Sequence, residues 1–259
     1  TANSGAEVPK ATSVRPMTIG NVIGSNVFNL GIILGGCAAI KAIPTSRKLV
    51  TRDGIFLLGV VIILGVMMQD GGLARLEGIG LLALLIGYLA FMFMKKEAPD
   101  DIPEDEETAT WKDVPLGLLG LVGILGGAHL LVNGASDLAR AFGLSEWAIS
   151  VTIVAAGTSA PELVTSLNAA LKGRFGLSAG NLIGSDLFNM LGVLGLSSVL
   201  TPLPVAPTTS LSMWITVGSV ALVVFFMRTG WRLTRLEGVT LVAVNFVRWG
   251  IDIFGTRGS

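Results

Sequence analysis

Gly20-Asn-Val-Ile-Gly-Ser-Asn-Val-Phe-Asn29 returns 160 residues later as Gly180-Asn-Leu-Ile-Gly-Ser-Asp-Leu-Phe-Asn189. Arg75-Leu-Glu-Gly78 returns as Arg235-Leu-Glu-Gly238 at the same offset, and Pro44 pairs with Pro204. One offset shared by separate motifs marks an internal duplication. Around these motifs lie apolar runs near 19–43, 54–69, 77–94, 114–139, 147–171, 177–203, 211–227 and 236–254. A membrane helix needs about 20 mostly apolar residues, so these are eight candidate spans. No useful length alternates with the period of a strand, which speaks against a β-barrel. The two long motifs sit on the first and sixth runs. Five crossings separate them, an odd number, so the copies run in opposite directions. The sequence predicts an all-α polytopic membrane protein with an inverted-topology repeat. Folds of that kind hold their substrate near the midplane, where broken helices meet.

Composition agrees. Of 259 residues, 51% are hydrophobic and 14% charged, with a mean hydropathy of +0.73. A soluble domain carries about a quarter charged residues. A disordered chain, a nucleic-acid binder and an ordinary cytosolic enzyme are excluded. Eighteen basic residues balance 18 acidic ones, so no net field favours a polyanionic partner. Cys37 is the one cysteine and His129 the one histidine. That excludes an intrachain disulfide and multi-histidine metal sites, and it makes poor material for a Ser-His-Asp triad.

The chain divides into a polar segment 1–16, three helices of a first repeat over 17–96, an acidic linker 97–113 and five helices of a second repeat over 114–254. Residues 255–259 read as an appended expression scar. If each run crosses once, twelve Lys and Arg collect on one side, among them Lys41, Arg47, Lys48, Arg52, Lys95, Lys172 and Arg228. Five collect on the other, namely Lys10, Arg15, Arg75, Arg140 and Arg257. The bias predicts that the first side, with the linker 97–113, is cytoplasmic.

The chemistry centres on Ala155-Ala-Gly-Thr-Ser-Ala-Pro-Glu-Leu-Val-Thr-Ser166. Pro161 has no amide hydrogen, so the carbonyl of Gly157 loses its usual partner and the helix should break. Freed carbonyls at membrane depth are tolerated where they line a wet or ion-filled cavity. Beside the break stand Thr158, Ser159 and Glu162, with no Lys or Arg in that span. A buried carboxylate there calls for a cation or a proton. Hard cations such as Na⁺ and Ca²⁺ favour carboxylate, hydroxyl, amide and carbonyl oxygens. The repeated motifs supply Ser25, Asn26 and Asn29, and Ser185, Asp186 and Asn189. Ser25 and Asn29, four apart, share one helix face, as do Ser185 and Asn189. Asn26 and Asp186 point about 100° away. Asp186 reads either as a ligand or as a partner of a polar group near the membrane rim. The remaining polar residues read as structural. His129 suits packing or a bond between helices, Asp137 pairs with Arg140, Glu77 and Glu237 favour helix first turns, and Cys37 is core.

Gly157-Thr-Ser-Ala-Pro-Glu162 followed by Gly180–Asn189 resembles the second α-repeat of the calcium/cation antiporter superfamily, nearest its prokaryotic sodium/calcium exchanger branch. Gly134-Ala-Ser-Asp-Leu-Ala139 and Val151-Thr-Ile-Val-Ala155 share the resemblance, and Gly20–Asn29 is similar to the end of the first α-repeat. The resemblance implies ten helices in two inverted sets of five, of which about eight are here. By the 160-residue offset Thr1 falls opposite Pro161, and Ala2–Pro16 does not match a Gly-Thr-Ser-x-Pro-Glu helix. The first two helices and their glutamate are therefore expected elsewhere, for instance on a separate N-terminal fragment.

The resemblance further implies exchange of Na⁺ for Ca²⁺ by alternating access. Glu162 would be a carboxylate shared by both ions, with Thr158 and Ser159 as neighbouring ligands and Ala155 contributing its carbonyl. Ser25, Asn29, Ser185 and Asn189 would complete the cluster. Asn189, where an acid marks the potassium-dependent branch, argues against that branch, and the Gly-Asn-Ala-x-Glu motif of the hydrogen/calcium branch is not found. The expected partners are Ca²⁺, Na⁺ and the lipid bilayer of a prokaryotic plasma membrane, with no cofactor, no enzymatic activity and no nucleic acid. Exchange coupled to H⁺ or another cation, and a non-transporting scaffold or sensor, are the rival readings. An intramembrane hydrolase using Ser159 or Ser185 ranks below them.

Overall fold

The computed structural model describes residues 10–95, 111 and 113–255. Most of the linker 97–113 and residues 256–259 lie outside them. Within the described residues six helices are long and apolar enough to cross a membrane, Thr18–Ile40, Leu49–Asp70, Arg75–Lys95, Asp113–Ala141, Phe175–Leu200 and Thr209–Arg228. A seventh crossing is a broken one, Glu146–Thr158 followed by Ala160–Leu171 at a bend of 50°. The eighth run also forms a helix, Arg235–Gly255. It stands outside that set, and buried Asn245, Arg248 and Asp252 interrupt its apolar surface. Arg248 is held by Ser212 Oγ at 2.8 Å and lies 3.7 Å from Asp252.

In chain order, α1 (Lys10–Val27) runs through a π-helical stretch, Phe28–Leu34, into α2 (Gly35–Ile40). Strand β1 (Ile43–Pro44) precedes a second π-helical stretch, Leu49–Gly54, and α3 (Ile55–Met67). Strand β2 (Gly72–Leu73) leads into α4 (Arg75–Lys95). After the linker come α5 (Asp113–Ala141) and the broken span. That span is α6 (Glu146–Ile149), π-helical Ser150–Val154, α7 (Ala155–Thr158) and α8 (Ala160–Leu171). Then α9 (Phe175–Leu187), π-helical Phe188–Val193 and α10 (Leu194–Leu200) repeat the first span. Strand β3 (Leu203–Pro204), α11 (Pro207–Arg228), β4 (Arg232–Leu233) and α12 (Arg235–Gly255) complete the chain. Helix α1 starts seven residues before the boundary at 17, so part of the polar segment 1–16 is helical.

The duplication is visible as reciprocal packing. Strand β1 pairs antiparallel with β4 (Ile43 with Leu233), and β2 with β3 (Leu73 with Leu203). Shifting Ile43 by 160 gives Leu203, and shifting Leu233 back gives Leu73, so each sheet is the other's image. Likewise α2 packs on α12 while its copy α10 packs on α4. The close contacts obey the same exchange. A Cβ on Gly238 would lie 2.5 Å from Gly35 O and 2.6 Å from Ala39 N, and Gly78 faces Gly195 and Ser198 in the same way. The two sheets also join the loops that odd-even crossing puts on one side, 41–48 with 229–234 and 71–74 with 201–206. Such swapped contacts are what two inverted copies require.

The conserved offset extends to helix starts. Glu237 Oε2 accepts from Thr234 N at 2.7 Å, and Thr234 Oγ1 accepts from Glu237 N at 3.3 Å, a reciprocal capping box. In the first repeat Glu77 Oε2 accepts from Ala74 N at 2.7 Å, and alanine offers nothing in return. Ala74→Thr is expected to complete the box and add about 0.5–1 kcal/mol. Thr234→Ala should remove a similar amount. Thermal unfolding of the purified variants measures both.

Candidate cation site

The site lies where the two repeated motifs cross, closed by the broken span. The break falls at Ser159 (φ −90°, ψ 9°), between Gly157 and Pro161 as proline chemistry requires. Ser159 is buried, and its amide donates to Ala155 O at 3.1 Å. Thr158 Oγ1 lies 3.1 Å from both Ala155 O and Asn21 Oδ1, its two acceptors. The Ala155 carbonyl thus has acceptor roles inside its own helix turn. Past the bend, Glu162 stands in the first turn of α8, and Ser185 Oγ donates to its Oε1 at 2.8 Å.

Close approach sets the distance between repeats. Gly24 packs face on against the broken span, where a Cβ would lie 2.5 Å from Val151 O and 2.7 Å from Ala155 Cβ. Next to it Ser25, Asn26 and Asn29 are all buried. Asn29 Nδ2 donates to Asp186 Oδ1 at 2.8 Å. Its repeat mate Asn189 Nδ2 donates to Asn26 Oδ1 at 3.2 Å and lies 3.4 Å from Ser25 Oγ. These bonds are images of each other, since Asn26 and Asp186 are themselves mates. Asn26 Nδ2 also reaches Asp186 O at 3.4 Å.

Asp186 is 0% exposed and bonded at the centre, so its place is the interior and not the membrane rim. Asn26 and Asp186 were expected to diverge from the Ser–Asn face. They meet the Asn side chains of the opposing repeat because the two helices cross closely there. Asn21, which no motif reading singled out, holds Thr158 across the repeats. Its mate Asn181 donates to Ser166 Oγ at 3.1 Å and ties α9 to α8. The signal for both was the Gly-Asn pair that opens each motif copy.

Three buried acceptors here have no hydrogen-bond partner: Asn29 Oδ1, Glu162 Oε2 and Asp186 Oδ2. Each costs about 1–3 kcal/mol if left so. Among the described residues no Lys, Arg or His pairs with either carboxylate. Nor is there a cluster of three or more His, Cys, Asp or Glu. The donor set is two carboxylates among amide and hydroxyl oxygens, which suits a hard cation and not a soft one.

Elsewhere the polar residues are structural. Arg140 bonds Asp137 at 2.9 Å and Glu146 at 2.7 Å, bracing the turn between α5 and α6. His129 bonds Asn133 on its own helix at 3.0 Å, where packing or a bond between helices was expected. Cys37 is buried in the core.

An inverted helical repeat with buried, unpartnered acceptors where its two motif copies cross suits a membrane carrier. Residues 13–94 and 114–247 match the sodium/calcium exchanger protein family, and the chain belongs to that family. CaxA of Alkalimonas amylolytica is 35% identical over 237 residues, covering 86% of this chain and 74% of its own. The uncharacterized membrane protein MJ0091 of Methanocaldococcus jannaschii is 35% identical over 189 residues, 73% of this chain and 62% of its own. Structures of the sodium-calcium exchanger NCX_Mj superpose with a TM-score of 0.74 at 31% identity, over 91% of this chain and 76% of theirs. Proteins of this family and fold are helical membrane transporters, not enzymes.

Proposed function

We propose that the chain exchanges Na⁺ for Ca²⁺ across a prokaryotic plasma membrane by alternating access, with the linker 97–113 cytoplasmic. The observation that supports this most is the trio of unpartnered oxygens on Asn29, Glu162 and Asp186. A bound hard cation would satisfy carboxylate and amide oxygens together. Ca²⁺ takes about six to eight oxygens, and Ser25, Thr158, Ser159, Ser185, Asn189 and the Ala155 carbonyl are the neighbouring candidates. Sharing ligands makes Ca²⁺ and Na⁺ occupancy mutually exclusive, which is the basis of exchange. The structures of NCX_Mj are described as showing extracellular ion exchange and induced binding-site occlusion, and the same chemistry fits here.

The first repeat's counterpart of the broken span completes the site in this reading. Gly20 and Gly24 take the broken span of the second repeat, whereas a Cβ on Gly184, the mate of Gly24, would meet nothing within 4 Å and one on Gly180, the mate of Gly20, would meet only Leu49 Cδ1 at 3.9 Å. A separate fragment with a Gly-Thr-Ser-x-Pro-Glu helix suits that face and would add the second glutamate.

Proteoliposomes holding the purified protein in its full natural length test the coupling ion. An outward Na⁺ gradient is expected to drive ⁴⁵Ca²⁺ uptake, and a pH gradient of equal size is not. Uptake driven by pH alone would favour H⁺-coupled exchange, and no uptake with either would favour a scaffold or sensor.

A further inference from the structure

A groove of about 540 Å³ runs along the membrane-facing side of α4. Its floor is Gly80, Ala83 and Gly87, spaced three and four apart on one stripe. A Cβ on Gly80 or Gly87 would meet nothing within 4 Å, so absent side chains create the groove. One wall is Phe56 stacked on Tyr88, ring centroids 4.9 Å apart. From Gly80 to Phe91 the lining spans eleven residues, about 16 Å of helix.

The mouth differs from the floor. Arg52 lines it, its guanidinium fixed by Asp53 at 2.7 Å, and Asp53 also accepts from Tyr88 Oη at 3.0 Å. Lys95, at the end of α4, lies 5.6 Å over the ring of Phe91, which lines the groove. Both sit where their spans leave the membrane, α4 at its end and Leu49–Asp70 at its start. An apolar slot opening on lipid and basic at its interfacial end matches one molecule class. We propose that it holds an anionic phospholipid, an acyl chain along Gly80–Phe91 and the phosphate at Arg52 and Lys95. The groove opens on the bilayer, so the occupant comes from there, and a zwitterionic headgroup would bring its own cation against Lys95, whereas the Arg52–Asp53 pair offers N–H donors with no net charge. Each basic group near anionic lipid is worth about a fivefold gain in binding.

Native mass spectrometry of the detergent-solubilised protein tests this with phosphatidylglycerol and phosphatidylcholine of equal chains. The expected result is an adduct formed preferentially with phosphatidylglycerol. Gly87→Leu fills the floor from a Cβ that meets nothing within 4 Å, and it should abolish that adduct while leaving thermal unfolding in lipid-free detergent unchanged. Lys95→Gln should keep an adduct but lower the preference about fivefold. Gly80→Leu repeats the filling test independently, should Gly87→Leu fold poorly. Equal adducts with both lipids, or a phosphatidylglycerol adduct that survives both glycine fillings, overturns the proposal. So does a dimer that either filling dissolves, which would make the groove a contact between copies.

Discussion

Gly24→Val is expected to leave little folded protein. The new side chain would start 2.5 Å from Val151 O and 2.7 Å from Val151 Cα, both backbone atoms that cannot swing aside. Overpacking a well-packed site costs about 1–3 kcal/mol, and against backbone the cost should exceed that range. In a membrane, helices associate through such close contacts and not through a hydrophobic drive. Losing this one separates α1 from the broken span and pulls Ser25 and Asn26 away from Asn189. Gly184→Val, the same change at the mated position, meets open space in this chain and should fold normally. Size-exclusion profiles and thermal unfolding of the two variants measure the contrast. Equal behaviour would refute the packing argument.

Glu162→Gln is expected to abolish Ca²⁺ uptake while preserving the fold. Glutamine keeps the volume and can still accept from Ser185 Oγ through its amide oxygen, so unfolding without ions should be unchanged. It removes one of the two carboxylates at the site, a half-buried one whose Oε2 is shielded from solvent. Deleting one partner of a buried charge pair costs about 3–5 kcal/mol, more than a hundredfold in affinity. Uptake of ⁴⁵Ca²⁺ at micromolar concentration should fall to the level of empty vesicles. A Gln variant that exchanges normally would remove Glu162 from the site.

Much of this was readable in the residues because membranes restrict what a chain can do. Apolar runs of fixed length located the helices, and the 160-residue offset located the repeat and its sense. Pro161 located the break to within two residues of Ser159. The parts not readable depend on tertiary approach. The last run reads as one more span, yet it buries Arg248 against Ser212, a partner 36 residues away. A helical wheel sets Asn26 and Asp186 about 100° from Ser25 and Ser185, but it cannot show that the opposing helix comes close enough for Asn29 to reach Asp186 and for Asn189 to reach Asn26. The Gly-Asn pair marks Asn21 as part of the motif but not its bond to Thr158, which joins two repeats 137 residues apart. His129 found its partner one turn along its own helix, a choice that sequence spacing leaves open.

The central claim is that Glu162, Asp186 and Asn29 turn their unpartnered oxygens on one cation. Crystals of the protein soaked in Sr²⁺ test it most directly, since the metal scatters anomalously and mimics Ca²⁺. The account predicts an anomalous peak within about 2.3–2.7 Å of Glu162 Oε2 and Asp186 Oδ2, lost when Na⁺ is raised. A peak elsewhere in the protein, or none at this crossing in protein that transports Ca²⁺, would contradict it.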